Sequence, residues 1–165
     1  MCGVVAVLGK ESANQLVIEG LKKLEYRGYD SAGLAYVSKG SLQTIKSEGK
    51  LVNLIEKLDR STKEKLFLDN YIALGHTRWA THGNISFENA HPLVSENKVA
   101  VVHNGIIENY ETLKKDLISL GYNFKSMTDT EVLPHLFMKY IKLGNDLLDA
   151  GRLVLKDIQG TFAFV

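Results

Sequence analysis

Met1-Cys2-Gly3-Val4-Val5-Ala6-Val7-Leu8 opens the chain, and the reading of this stretch decides the fold. Gly3 to Leu8 is a short, continuous apolar run rich in valine, and a run without alternation predicts a strand buried on both faces. Directly ahead of it stands Cys2, the only cysteine of the sequence. Removal of Met1 would leave Cys2 with both a thiol and a free α-amine. A peptide α-amine titrates near ~7.7–8.0, against ~8.5 for the thiol and ~10.4 for lysine. That amine is matched to general-base work at neutral pH, so one residue would supply nucleophile and base together. The other reading is a small hydrophobe packed in the first strand, as free cysteines often are. A retained Met1 would turn the amine into an amide and remove the base.

Outward from this strand, the apolar pattern changes period repeatedly. Ser12 with Gln15 forms a capping box, and Val17, Leu21 and Leu24 make a helical stripe ending near Tyr26 and Gly28. Leu34–Val37, a Lys39-Gly40 turn and Leu42–Ile45 predict a hairpin. Leu51, Leu54, Ile55 and Leu58 mark an amphipathic helix, and the charged run from Asp59 to Lys65 predicts a solvated connection. Tyr71–His76 predicts a strand, and a segment poor in apolar residues runs from Thr77 to His91. Leu93-Val94 and Val99–Val102 predict a second hairpin. Tyr110, Leu113, Leu117 and Leu120 stripe a third helix that stops at Gly121. Thr128 with Glu131 is a second capping box, before a helix in which Pro134 forces a late start or a kink. A fifth helix spans Leu147–Ile158, stopping at Gly160, and Thr161–Val165 predicts a strand. Helices alternating with antiparallel hairpins predict α/β sheets covered by helices on their outer faces. An apolar strand with nothing after it predicts a fragment, because open apolar edges invite association.

The whole chain has 165 residues, 45% hydrophobic and 24% charged, with a formal charge of +1. That length predicts one domain or two small ones, and a neutral balance gives no electrostatic reason to expect nucleic acid or an anionic membrane as partner. A single cysteine excludes an intramolecular disulfide and predicts a reducing, cytosolic location. No apolar run approaches the roughly 18 residues of a membrane span, and no basic segment precedes Val4, so a secretory leader is not expected.

Four groups of residues carry possible chemistry. His103-Asn104-Gly105 is either a turn, since Asn-Gly tolerates positive φ, or an oxyanion hole formed by the Asn104 amide and the Gly105 N–H. His76-Thr77-Arg78-Trp79-Ala80-Thr81-His82-Gly83 is dense in donors. Its Arg78 fork suits a substrate carboxylate, and Trp79 could cover a small ligand; otherwise it is a surface loop. Asp129 either stabilises a helix N-terminus or pairs with a substrate ammonium. Together Arg78 and Asp129 would suit an α-amino acid. His76, His82, His91 and His103 lack zinc-site spacing, and Arg27-Gly28-Tyr29-Asp30-Ser31-Ala32-Gly33 lacks the Gly-Lys-Ser/Thr of a phosphate loop.

Taken in order, the N-terminal Cys2-Gly3, Leu24–Gly33, His76–Gly83, Asn89-Ala90-His91-Pro92, Val102–Asn109 and Thr128-Asp129-Thr130-Glu131 resemble the glucosamine–fructose-6-phosphate aminotransferase (isomerizing) family, the hexosamine-forming class-II glutamine amidotransferases. The resemblance covers nearly the whole chain; only Pro134 departs from the apolar residue expected there. It implies an N-terminal-nucleophile hydrolase fold, a four-layer αββα sandwich, here truncated, with residues 1–165 forming an incomplete glutaminase domain. It implies that Cys2 attacks L-glutamine, that Asn104 and Gly105 stabilise the oxyanion, and that Arg78, with Thr81 and His82, holds the α-carboxylate. Asp129 would hold the α-ammonium, Trp79 would sit on a closing loop, and Arg27 and Gly28 would support the N-terminus. No cofactor and no metal is implied. Fructose 6-phosphate would bind sugar-isomerase domains absent from this chain, and the full-length protein would form a homodimer or a higher oligomer in the cytoplasm. The glutaminase domain of another class-II amidotransferase and a non-catalytic glutamine-binding module are the alternatives.

Overall fold

The computed structural model describes residues 2–9, 12–27, 30–61, 70–79 and 86–165. The opening strand, β1 (Gly3–Leu8), pairs antiparallel with β4 (Ile72–Arg78), with Gly3 opposite Thr77 and Leu8 opposite Ile72. β4 pairs in turn with β2 (Ser31–Ser38), and β2 with β3 (Ser41–Glu48), giving the order β1-β4-β2-β3. The β2–β3 hairpin turns at Lys39 (φ 49°) and Gly40 (φ 74°), the double positive φ that matches strand twist in two-residue turns.

Two helices cover one face of this sheet. α1 (Ala13–Leu24) and α2 (Leu51–Ser61) bring Val17, Leu21, Leu51, Leu54 and Leu58 against Ala32, Leu34 and Ala73. Each fully buried leucine contributes about 1.5–3 kcal/mol of apolar transfer. The opposite face meets a second layer of strands, and the approach is close at Gly33. A Cβ built on Gly33 would stand 2.0 Å from the His91 carbonyl oxygen, so only glycine lets these two layers touch there.

The second layer consists of β5 (Leu93–Ser95) paired with β6 (Val99–Val101), and β7 (His103–Ile107) paired with β8 (Gly160–Phe164), all antiparallel. Buried Val102 links β6 to β7 and exchanges both backbone hydrogen bonds with Val165 at 3.0 Å. α4 (Val132–Lys142) packs on β5 and β6, flanked by α3 (Tyr110–Ser119) and α5 (Leu147–Asp157). Their core joins Leu117, Leu133, Leu136 and Val154 with Val101 and Ile107. The result is the four-layer αββα arrangement.

Three expectations need correction. β1 is an edge strand, not one buried on both faces: its outward residues are open and Leu8 is 82% exposed. Neither capping box forms. Ser12 stands at the N-cap of α1 without a side-chain cap bond, while Gln15 donates to Glu19. Thr128 precedes a 3-10 turn, Asp129–Glu131, again without a cap bond, because Glu131 accepts the N–H groups of Lys125 and Ser126 instead. The helix α2 continues through residues assigned to a charged connection, since Asp59 and Arg60 lie on its exposed face; the rest of that run is outside the described residues. Pro134 sits in the first turn of α4, where its missing N–H needs no partner, and the 3-10 turn ahead of it provides the late start.

Candidate active site

β1, β4 and β7 converge on one cavity of about 600 Å³. Cys2 enters it because β1 runs antiparallel to β4 in a register that sets Gly3 opposite Thr77. The Gly3 N–H donates to Thr77 Oγ1 at 3.2 Å, fixing the strand at its first residue. One residue earlier, Cys2 Sγ lies 3.3 Å from the Trp79 N–H, which donates to it. Sulfur thus sits against the Trp79 backbone at the end of β4, near both its N–H and its carbonyl oxygen. Trp79 itself is half exposed at the cavity mouth.

β7 supplies the opposite wall. The His103-Asn104-Gly105 segment is not a turn but lies inside the strand. Gly105 has φ 133°, and a Cβ there would stand 2.0 Å from the Thr161 carbonyl oxygen of β8; glycine alone fits. Asn104 Nδ2 donates to the Cys2 carbonyl oxygen at 3.3 Å, and Asn104 Oδ1 is 2.9 Å from His76 Nε2. The amide therefore faces Cys2 across the seam between the layers.

Arg78, at the end of β4, is 6% exposed and lines the same cavity. Asp129 lines the cavity from the 3-10 turn, where its Oδ2 accepts the Ile107 N–H at 2.7 Å. It thereby ties this turn to the end of β7 and does not act as a helix cap. The turn is anchored further by Glu131. Burial pushes the Glu131 carboxyl up, but hydrogen bonds from His135, Lys125 and Ser126 outweigh burial and bring it down to about 2. Asn89 Oδ1 accepts the Met127 N–H at 2.9 Å and holds the preceding residues in place.

Sequence reasoning passed over the roles of His76, His91, His103 and Thr130. All four line the cavity and are buried. His103 Nδ1 lies 2.8 Å from Thr130 Oγ1, and His91 Nδ1 accepts the His103 N–H at 3.4 Å. Burial lowers His76 to about 4, helped by the Arg78 and His103 charges, and lowers His91 well below its ordinary range. Burial also lowers His103, against the pull of Asp129. The only sequence signal was the shared place of the three histidines in the stretch from β4 to β7 and of Thr130 beside Asp129. The structure brings together Cys2, Arg78, Trp79, Asn104, Gly105 and Asp129. Arg27 closes the 3-10 turn Glu25–Arg27 after α1; Gly28, Thr81 and His82 lie outside the described residues.

Cys2 at the head of the first strand, against the Asn104 amide and between two packed, helix-covered sheets, places the fold in the N-terminal-nucleophile hydrolase class. Residues 40–165 match the family model of the glutamine amidotransferase domain, and the chain belongs to that family. It is 49% identical over 165 residues to the glutamine–fructose-6-phosphate aminotransferase (isomerizing) of Bartonella quintana, covering 100% of this chain and 26% of that protein. The same enzyme of Clostridium tetani is 51% identical over 99% of this chain and 26% of its own length. The chain thus spans about a quarter of the length of these relatives. Among solved structures, it resembles a glutamine phosphoribosylpyrophosphate amidotransferase from B. subtilis complexed with ADP and GMP (TM-score 0.78, 31% identity, 99% of this chain and 34% of that one). It also resembles an allosteric regulatory enzyme of purine biosynthesis (TM-score 0.80, 31% identity, 99% and 34%). Among the described residues, no helix is long and apolar enough to cross a membrane.

Proposed function

We propose that this chain hydrolyses L-glutamine and supplies the ammonia to a sugar-converting segment that lies outside it. The observation that carries this is the convergence of Cys2, Asn104 and Gly105 on one cavity that Arg78 and Asp129 also line. An α-amino acid with a side-chain amide fits that polarity: carboxylate to Arg78, ammonium to Asp129, and the amide carbon toward Cys2.

The Cys2 sulfur adds to the amide carbon as its α-amine, freed by removal of Met1, takes the thiol proton. Negative charge develops on the amide oxygen, where Asn104 Nδ2 and the Gly105 N–H donate to it. The carbon–nitrogen bond then breaks, the proton passes from the α-amine to the leaving nitrogen, and ammonia departs from a glutamyl thioester. Water adds to the thioester with the amine again as base, and the carbon–sulfur bond breaks to give glutamate and the free thiol. Trp79, at the cavity mouth, covers the bound substrate; Thr81 and His82 assist Arg78, and Arg27 and Gly28 support the N-terminus.

The acceptor we assign is fructose 6-phosphate, giving glucosamine 6-phosphate. The 49–51% identity to aminotransferases of that name favours it over the phosphoribosyl acceptor named for a structure at 31%. The complete protein works in the cytoplasm as a homodimer or higher oligomer. The test is glutamine hydrolysis by protein whose Cys2 N-terminus is verified by mass, against Cys2→Ala. Loss of at least a thousandfold is expected, within the range for removing a catalytic nucleophile, and equal rates overturn the reading. Fructose 6-phosphate should raise glutaminase turnover of the full-length protein, and indifference to it overturns the acceptor assignment.

A further inference from the structure

Asn104 can stabilise an oxyanion only with its NH2 group turned toward Cys2, and a primary amide is free to turn either way. The Cys2 carbonyl oxygen, 3.3 Å from the inner end of that amide, is purely an acceptor, so the inner end must be Nδ2. The outer end is then Oδ1, an acceptor, and its partner at 2.9 Å is His76 Nε2. His76 must therefore donate from Nε2. It sits on β4 with 1% of its surface exposed, among neighbours that favour the neutral ring. Its face stacks on His91, with ring centroids 4.4 Å apart and planes tilted 41°. His91 Nδ1 in turn accepts the N–H of His103, the residue before Asn104.

We infer that His76 is a positioning residue of the glutaminase reaction, its Nε2–H clamping Asn104 Oδ1 so that Nδ2 stays aimed at the oxyanion. The inference rests on the hydrolytic reading above. Without the clamp, Oδ1 loses its partner, and the amide, held only by its 3.3 Å bond to the Cys2 carbonyl oxygen, spends part of its time turned over. The oxygen would then face a developing negative charge, a repulsive arrangement in place of an attractive one.

The test compares His76→Gln, which keeps a donor at similar reach, with His76→Met, which has similar length and no donor, both with a verified Cys2 N-terminus. His76→Met should lower kcat for glutamine about 10- to 100-fold, part of the ~10²–10³ lost with a whole oxyanion donor. KM should stay within about threefold, and His76→Gln should recover most of kcat. Alkylation of Cys2 by iodoacetamide builds no oxyanion, so both variants should alkylate at the wild-type rate. Because His76 acts through Asn104, His76→Met added to Asn104→Ala should cause no further loss. An additive double variant, a loss confined to KM, or equal kcat for Met and Gln variants overturns the clamp. Should the Met variant not fold, His76→Asn, whose amide is too short to reach Asn104, decides the same cycle by the same criterion. Full activity in Cys2→Ala would overturn the hydrolytic reading itself, an outcome separate from any result at His76.

Discussion

Replacing Gly105 with alanine tests whether the seam between β7 and β8 sets the geometry of the site. Gly105 has φ 133°, and an added Cβ would stand 2.0 Å from Thr161 O and 2.8 Å from the Phe162 Cα. Both obstacles are backbone of the paired strand, so no side chain can swing aside. The strained φ costs about 1–3 kcal/mol, and forcing β8 outward by more than an ångström costs about 1–3 kcal/mol more, as for an overpacked core. About 4 kcal/mol in total corresponds to a Tm lowered by roughly 8–16 °C in a domain of this size. The Gly105 N–H would move with its strand, so glutaminase kcat should fall on the order of a hundredfold, as when one oxyanion donor is lost. The control is Gly121→Ala. Gly121 has φ 89° with open space around its added Cβ, so it bears only the conformational cost of about 1–2 kcal/mol and should leave kcat unchanged. Thermal melts and glutamine turnover on both variants decide it. Equal melts for the two, or Gly105→Ala at wild-type kcat, would refute the close approach of β8 as the reason for glycine here.

Asp129→Asn keeps an oxygen to accept the Ile107 N–H but removes the charge. The lost charge-assisted bond, about 1.5–3 kcal/mol, should raise KM for glutamine roughly 10- to 150-fold with kcat within about threefold; steady-state kinetics at unchanged KM would exclude Asp129 as the ammonium partner. Glu131 governs acid stability: its carboxyl is held at about 2 against an ordinary 4.5, so the folded state takes up this proton later than the unfolded chain. Its stabilisation is whole above pH 4.5 and is lost as pH falls from there toward 2, about 3 kcal/mol in all. Urea unfolding of Glu131→Gln should lack that slope while keeping the separate loss below about pH 6.5 that neutral, buried His76 and His91 impose; equal slopes in wild type and variant would contradict this.

Period and turn chemistry made most elements legible. The Lys39-Gly40 hairpin, the stripe Leu51–Leu58 and the stop at Gly121 are local signals, and each element formed where its residues indicated. β1 misled because an apolar run does not reveal whether a strand lies at the centre or edge of its sheet; that depends on β4, some seventy residues later. The capping boxes misled because Glu131 finds better donors in Lys125 and Ser126 than at its own N-cap. The charged and donor-rich site residues, Arg78 and Asp129, stood out by type. His76 and His91 did not, since their work is to orient other groups, and only their contacts reveal it.

The chemistry is assembled from two layers, neither of which holds a site alone. Cys2, Arg78 and Trp79 belong to the β1–β4 edge of one sheet, while Asn104, Gly105 and the Asp129 turn belong to the other. Among the contacts that join them are His76 to Asn104, Asn104 to Cys2, the His76 ring on His91, and the His91 carbonyl against Gly33. Apolar packing of α1 and α2 on one side and α4 on the other is non-directional and would tolerate a small slide between the layers. The polar contacts would not, because a shift of half an ångström takes a 3.3 Å hydrogen bond beyond useful length. Stability and alignment therefore come from different residues. Core truncations such as Leu54→Ala in α2 should lower Tm while sparing kcat in the folded fraction, whereas changes at the seam act on kcat first.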